Sequence, residues 1–122
     1  MAAKDDLGRA GEDRAARHLE SLGYSIVDRN WRCRAGEIDI VATIGRDLVV
    51  VEVKTRSGSG FGHPLEAIDG AKKARLWRLA MAWIAEHREL VQGRRLRFAA
   101  IALVGPDPAT AGIELLPDVD LR

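Results

Sequence analysis

Three carboxylates and a lysine stand out in two apolar stretches of this chain. Glu37 and Asp39 lie in Gly36-Glu37-Ile38-Asp39-Ile40-Val41, and Glu52 and Lys54 lie in Val51-Glu52-Val53-Lys54. Runs rich in Val and Ile read as half-buried strands. A charge on such a strand costs free energy unless it is paired or bound to a metal. An Asp, then Glu-x-Lys on the next strand, is what metal-assisted cleavage of a phosphodiester requires. Mg²⁺ prefers carboxylate, carbonyl and water oxygens at ~2.1 Å. Asp39 and Glu52 can give two carboxylates to one ion, and the Val53 carbonyl a third oxygen. Lys54 shares the face of Glu52, where it can orient the attacking water or stabilise developing negative charge. Glu12, upstream, can complete the cluster or hold a second ion. The expected catalytic residues are Asp39, Glu52, Lys54 and Glu12. The expected metal ligands are Asp39, Glu52, Val53 and Glu12, with Mg²⁺ or Mn²⁺ as cofactor.

Other readings fit the same residues. The charges can form cross-strand pairs on an exposed sheet face, each contributing only ~0.2–1 kcal/mol. The chain can also be a nucleic-acid-binding module that cuts nothing, or a protein–protein adaptor with a structural acidic cluster.

The elements that must position these residues follow from periodicity. Residues 5–22 read as a helix, with Ala15, Ala16, Leu19 and Leu22 at helical spacing and Gly23 at its end. Glu12 projects from that apolar face. Gly8 and Gly11 each cost ~1 kcal/mol relative to Ala, which predicts a close approach of this helix to a neighbour. Strands are expected over Tyr24–Trp31, Glu37–Ile44, Leu48–Thr55 and Leu96–Val104, with a short edge strand at Ile113–Leu116. Glu37 and Asp39 share one strand face by alternation, as do Glu52 and Lys54. Gly45-Arg46-Asp47 reads as a three-residue hairpin loop. Ser57–Gly62 reads as an exposed loop, Pro64 as a helix opener, and Leu65–Ile68 as a separate turn. Ala71–Leu90 reads as a helix, with Ala74, Trp77, Ala80, Met81, Ile84 and Ala85 near helical spacing and Trp83 poorly placed. Trp31, Trp77 and Trp83 are assigned to the core rather than to base stacking. The order αβββαβ predicts an α/β fold: a mixed central sheet flanked by helices, with a right-handed crossover to a parallel strand. One domain is expected over residues 1–122, its core at about 5–105 and an acidic tail at 106–122.

The bulk composition bounds the partners. A chain of 122 residues, 47% hydrophobic and 30% charged, suits one core. The net charge of +1 is uneven. Residues 72–97 carry eight Lys and Arg against two Glu, a net of +6, while residues 98–122 carry −3. A basic segment suits a polyanion such as DNA, and also a solvated helix face. Arg29, Arg32 and Arg34 before the acidic strand, Arg56 beyond Lys54, and Lys72 and Lys73 at a helix start are the candidate phosphate contacts. The single Cys33 forms no internal disulfide and makes no Cys-rich zinc finger, as in a reducing compartment. No apolar run approaches the ~20 residues of a membrane span. Met1–Asp6 shows no secretory pattern, so the expectation is a cytoplasmic protein with no membrane partner.

Five motifs taken together carry a resemblance. Gly8-x-x-Gly11-Glu12, Arg29-Asn30-x-Arg32, Gly36-Glu37-Ile38-Asp39, Val51-Glu52-Val53-Lys54-Thr55-Arg56 and Phe61-Gly62-x-Pro64 closely resemble the YraN-like family of small bacterial proteins. The resemblance runs over roughly residues 7–105. That family looks like a member of the PD-(D/E)xK nuclease superfamily, similar in layout to archaeal Holliday-junction resolvases. It implies a restriction-endonuclease-like core and a metal-dependent endonuclease acting on DNA, including branched or damaged DNA. It also implies a homodimer, since two cuts need two sites. Asp39, Glu52 and Lys54 match the superfamily's metal-binding and catalytic positions. Glu12 matches the acidic residue many resolvase-like members carry on the first helix. Ile38 stands where the motif's name has Pro.

Overall fold

Five strands assemble side by side, the central three rich in Val, Ile and Ala: β1 (Ser25–Cys33), β2 (Gly36–Ile44), β3 (Asp47–Arg56), β4 (Arg95–Val104) and β5 (Gly112–Leu116). Their spatial order is β1-β2-β3-β4-β5. The β3–β4 pair is parallel and the other three pairs are antiparallel. Helix α1 (Ala2–Ser21) precedes the sheet, and α2 (Gly70–Glu86) with the single turn α3 (Arg88–Val91) connects β3 to β4. The computed structural model describes residues 2–56 and 70–119, with side chains from Gly8 onward. The expected loop at 57–62, Pro64 and the turn at 65–68 lie outside the described residues.

Each face of the sheet has its own core, as the α/β expectation requires. On one face Ala15, Ala16 and Leu19 of α1 pack on Ile40, Ala42, Val49, Val51, Ile101 and Leu103. On the other face Leu76, Leu79, Ala80 and Trp83 of α2 pack on Ile38, Val41, Leu48, Val50 and Phe98. Burial of each such aliphatic side chain contributes about 1.5–3 kcal/mol. The sheet and core continue past residue 105. β5 pairs along β4, Ala111 is buried, and Arg14 of α1 donates to the Pro108 and Ala111 carbonyls.

Several elements differ from expectation. The β2–β3 connection is the two-residue turn Gly45-Arg46, because Asp47 already pairs with Ile44. The long helix breaks at His87, where α2 ends and α3 begins. The buried stripe of α2 is Leu76, Leu79, Ala80 and Trp83, so the helix is rotated from the predicted stripe. Trp83 is fully buried, and its Nε1 donates to Asp28 Oδ2 at 2.9 Å. That partner is what allows an indole N–H inside a core. Trp77, assigned to the core, is 50% exposed and lies tilted over Phe98 at 6.2 Å. Gly23 ends α1 as expected, at φ +98°, with the Tyr24 amide reaching back to the Leu19 carbonyl at 3.0 Å.

The strands carry one irregularity that matters for the site. Ile38 faces the α2 core, yet Ile40, two residues on, faces the α1 core. Regular alternation would put both on one face. Directly opposite on β1, Arg29 reaches Asp13 of α1 while Trp31 packs with the α2 core. Asn30 and Asp39 lie at the two reset points and face each other, flanked by the pairs Arg29–Ile40 and Trp31–Ile38. Asn30 is the one described residue other than glycine with positive φ, +54°.

Candidate functional site

The β2–β3 ladder pairs from Ile44–Asp47 to Ile40–Val51 and stops there. β3 itself runs on to Arg56 beside β4. β2 and β3 therefore part at their outer ends, and the gap exposes backbone that a ladder would have satisfied. Asp39 fills it: its Oδ2 accepts the Val53 N–H at 2.7 Å. Of Val53, the amide rather than the expected carbonyl ties to the cluster.

Glu12 comes to the same place from α1. Gly11 makes this approach possible, because a Cβ there would lie 2.5 Å from Thr55 Oγ1 on β3. Gly8, expected to serve the same purpose, has open space around it. Carboxylate oxygens of Glu12, Glu37 and Asp39 all lie within 4.8 Å of one another. Glu37 was not among the expected ligands. Its signal was present in the sequence, since it shares a strand face with Asp39 one full alternation away.

Glu52 stands outside that trio and is only 9% exposed. Its Oε1 lies 3.1 Å from Lys54 Nζ. By alternation with Leu48 and Val50, Glu52 and Lys54 belong to the α2 face, whereas Glu12 arrives on the α1 face. Asp39, at the parting of the strands, couples the two sides.

The electrostatics reflect this convergence. Burial pushes Asp39 up to about 7, helped by the Glu52, Glu12 and Glu37 charges and opposed by the Val53 hydrogen bond. Burial and the Glu37 charge also raise Glu12, while the Asn30 side-chain hydrogen bond and Arg29 act to lower it. Like charges in a partly desolvated site disfavour full ionisation, and a hard divalent cation removes that penalty. The three carboxylates offer all-oxygen donors, which fits Mg²⁺ or Mn²⁺. On the other side, Lys72 of α2 is held below the usual lysine range chiefly by the neighbouring Lys54 charge, and by burial.

The remaining expected site residues divide. Arg56 continues the Glu52–Lys54 face and is half-buried at the end of β3. Arg29 bonds Asp13 Oδ1 at 2.6 Å. Arg32 bonds Glu37 Oε2 at 2.6 Å, holding a member of the trio. Lys73 is half-buried on α2 and points about 100° around the helix from Lys72. Cys33 is a half-buried free thiol. Among the described residues no helix is long and apolar enough to cross a membrane.

A family model described as "Uncharacterised protein family UPF0102" matches residues 11–103. The chain belongs to this UPF0102 family, the YraN family. A UPF0102 protein of Arthrobacter sp. (strain FB24) is 56% identical over 101 residues, covering 83% of this chain and 86% of the relative. One from Frankia alni is 49% identical over 116 residues, 95% of both chains. One from Frankia casuarinae is 60% identical over 87 residues, 71% of this chain and 74% of the relative. The UPF0102 match runs from Gly11 to Leu103 and so contains Glu12, Asn30, Glu37, Asp39, Glu52, Lys54 and Lys72.

Proposed function

We propose that this UPF0102 protein is a Mg²⁺- or Mn²⁺-dependent DNA endonuclease. One observation carries the reading: Glu12, Glu37 and Asp39 converge within 4.8 Å beside the Glu52–Lys54 pair at the open end of two parted strands. A cation held there would supply Lewis acidity and a water of lowered pKa. The trio would hold the ion through its carboxylate oxygens. Lys54 would place its ammonium at the phosphate, where it stabilises negative charge as the leaving oxygen departs. Glu52, 3.1 Å away, would hold Lys54 in that orientation and stand as a fourth carboxylate for the ion. Lys72 and Arg56 extend the positive charge along a backbone path, and Arg29, Arg32 and Lys73 lie at its margins. A homodimer acting on branched DNA, and a cytoplasmic location, belong to the same proposal.

The test is cleavage of end-labelled linear, single-stranded and four-way-junction DNA with Mg²⁺ or Mn²⁺, with Glu52→Gln beside the wild type. Metal-dependent products that vanish in the variant are expected. Products of equal yield from both proteins would refute the assignment.

A further inference from the structure

Trp77 is, among the described residues, the most exposed of the large apolar side chains. Its ring is held in place all the same, because it rests against the buried Phe98 with centroids 6.2 Å apart and planes tilted by 39°. A helical side chain leans over the turn before it, here Lys73 and Ala74. Ala74 is exposed and too small to cover an indole. Trp83 of the same helix is the contrasting case, fully buried with its N–H bonded to Asp28.

The charge around this ring has one sign. From Gly70 to Ala85, α2 carries Lys72, Lys73, Arg75 and Arg78 and no acidic residue. Lys73 lies one turn before Trp77 on the same face, and the exposed Arg78 follows it directly. Neither forms an ion pair among the described residues, whereas Arg95 and Arg97 close on Asp47. A protein partner would need acidic residues to match these cations. A nucleic-acid strand supplies both complements at every nucleotide, a phosphate charge and a base with a π face. The ring is also near the proposed catalytic groups. Phe98 pairs with Val50, and Glu52 follows two residues later on the same face of β3. Strand spacing puts the Phe98 and Glu52 Cα positions about 8 Å apart.

We propose that Trp77, with Lys73 and Arg78 beside it, is a stacking platform for an unpaired base of a single-stranded DNA segment. The proposal rests on DNA being the ligand of the neighbouring site, and not on the metal or on cleavage. In a duplex the base faces are stacked on one another, so the platform favours strands with unpaired bases, as at a branch or a frayed end. Trp77 supplies the part of the affinity that depends little on salt, and Lys73 and Arg78 the part that falls with it.

The experiment is fluorescence anisotropy of labelled oligo(dT), an abasic strand of the same length and a blunt duplex, in EDTA so that nothing is cut. Wild type, Trp77→Leu, Trp77→Phe and Arg78→Gln are compared over a salt series. Trp77→Leu should weaken oligo(dT) binding by ~5–100-fold at an unchanged salt slope, and leave the abasic strand and the duplex unaffected. Trp77→Phe should keep most of the affinity, and Arg78→Gln should lower the salt slope by ~0.7. Equal oligo(dT) affinity in wild type and Trp77→Leu would overturn the proposal, as would an equal loss on the abasic strand. A change of oligomeric state in Trp77→Leu, seen by sedimentation velocity, would overturn it by assigning the ring to a contact between copies. Should Trp77→Leu fail to fold, quenching of intrinsic tryptophan fluorescence decides. Quenching by oligo(dT) that persists in Trp31→Phe is expected, and none would overturn the proposal. Mg²⁺-dependent duplex cleavage without any Trp77 effect on oligo(dT) would remove the platform and leave the nuclease. Trp77-dependent oligo(dT) binding by a protein that cuts nothing would uphold the platform and remove the nuclease.

Discussion

The two ends of the β2–β3 hairpin hold an aspartate each, in opposite electrostatic states. At the turn end, Asp47 lies between Arg95 Nε at 3.1 Å and Arg97 Nε at 2.9 Å. Those hydrogen bonds and charges hold its carboxyl below the usual range. At the open end, Asp39 has one backbone amide as donor and three glutamates around it, and it rises to about 7. The turn end is compensated within the chain, as a purely structural feature should be. The open end gathers four carboxylates, of which Arg32 and Lys54 engage Glu37 and Glu52 and no cationic side chain bonds Asp39 among the described residues. Such a difference between two aspartates of one hairpin is what the proposed cation site rests on.

The largest effect should come from removing the open end's chemistry. Asp39→Asn, Glu52→Gln and Lys54→Ala should each reduce metal-dependent DNA cleavage by orders of magnitude, measured as initial rates on labelled DNA. Asp47→Asn should leave those rates within a few-fold of wild type. If Asp47→Asn were as damaging, the contrast between the two ends would collapse.

Stability should then move in opposite directions with pH. Folded Asp39 binds its proton more tightly than the unfolded chain does. Its contribution is complete below about pH 4 and is lost as pH rises toward 7, a span worth on the order of 4 kcal/mol. Asp39→Asn retains an oxygen for the Val53 amide, so without divalent ions it should be more stable than wild type at pH 8. Urea melts at pH 5 and pH 8 measure this, and a variant destabilised at both would contradict it. Mn²⁺ should reverse the order by raising the wild-type melting temperature and not the variant's. Asp47 behaves the other way: its contribution is present above its ordinary value near 3.8 and fades as pH falls through the lower folded value. Asp47→Asn should therefore flatten only the acid limb of the stability profile.

A smaller effect tests how α1 is seated at the open end. Gly11→Ala drives a methyl toward Thr55 Oγ1 and should cost about 1–3 kcal/mol, with loss of Mn²⁺ affinity as Glu12 shifts. Gly8→Ala, in open space, should be neutral or stabilising by up to ~1 kcal/mol. Denaturant melts of the two variants compare them directly. The smallest change is expected at the turn end. Arg95 is largely exposed and shares Asp47 with Arg97, so Arg95→Ala should cost no more than ~1 kcal/mol in the same melts.

Much of this molecule was legible in its residues because the signals are local. Short apolar runs bounded by turn residues located β2, β3 and β4 to within one residue at each end, since such runs need no knowledge of neighbours. Asp39, Glu52 and Lys54 stood out because charged residues inside apolar strands are costly. Trp83, assigned to the core yet poorly placed in the predicted helical stripe, shows what spacing misses. Whether an indole can be buried depends on a partner for its N–H, and that partner, Asp28, lies 55 residues away. Glu37 was seen on the face of Asp39 but not as a ligand, because its value depends on Glu12 arriving from α1.

Sequence by itself determined the strands, the helices, the mixed α/β order and the residues able to do chemistry, because each follows from spacing and side-chain type. Tertiary structure alone decided three things: that β2 and β3 part at Ile40–Val51, that Asn30 and Asp39 reset the alternation together, and that Glu12, Glu37 and Asp39 meet while Glu52 pairs with Lys54. The physical reason is that a periodic pattern states which face a residue prefers, whereas a site is built where periodicity breaks. At such a break, packing from two distant helices determines where each carboxylate comes to rest.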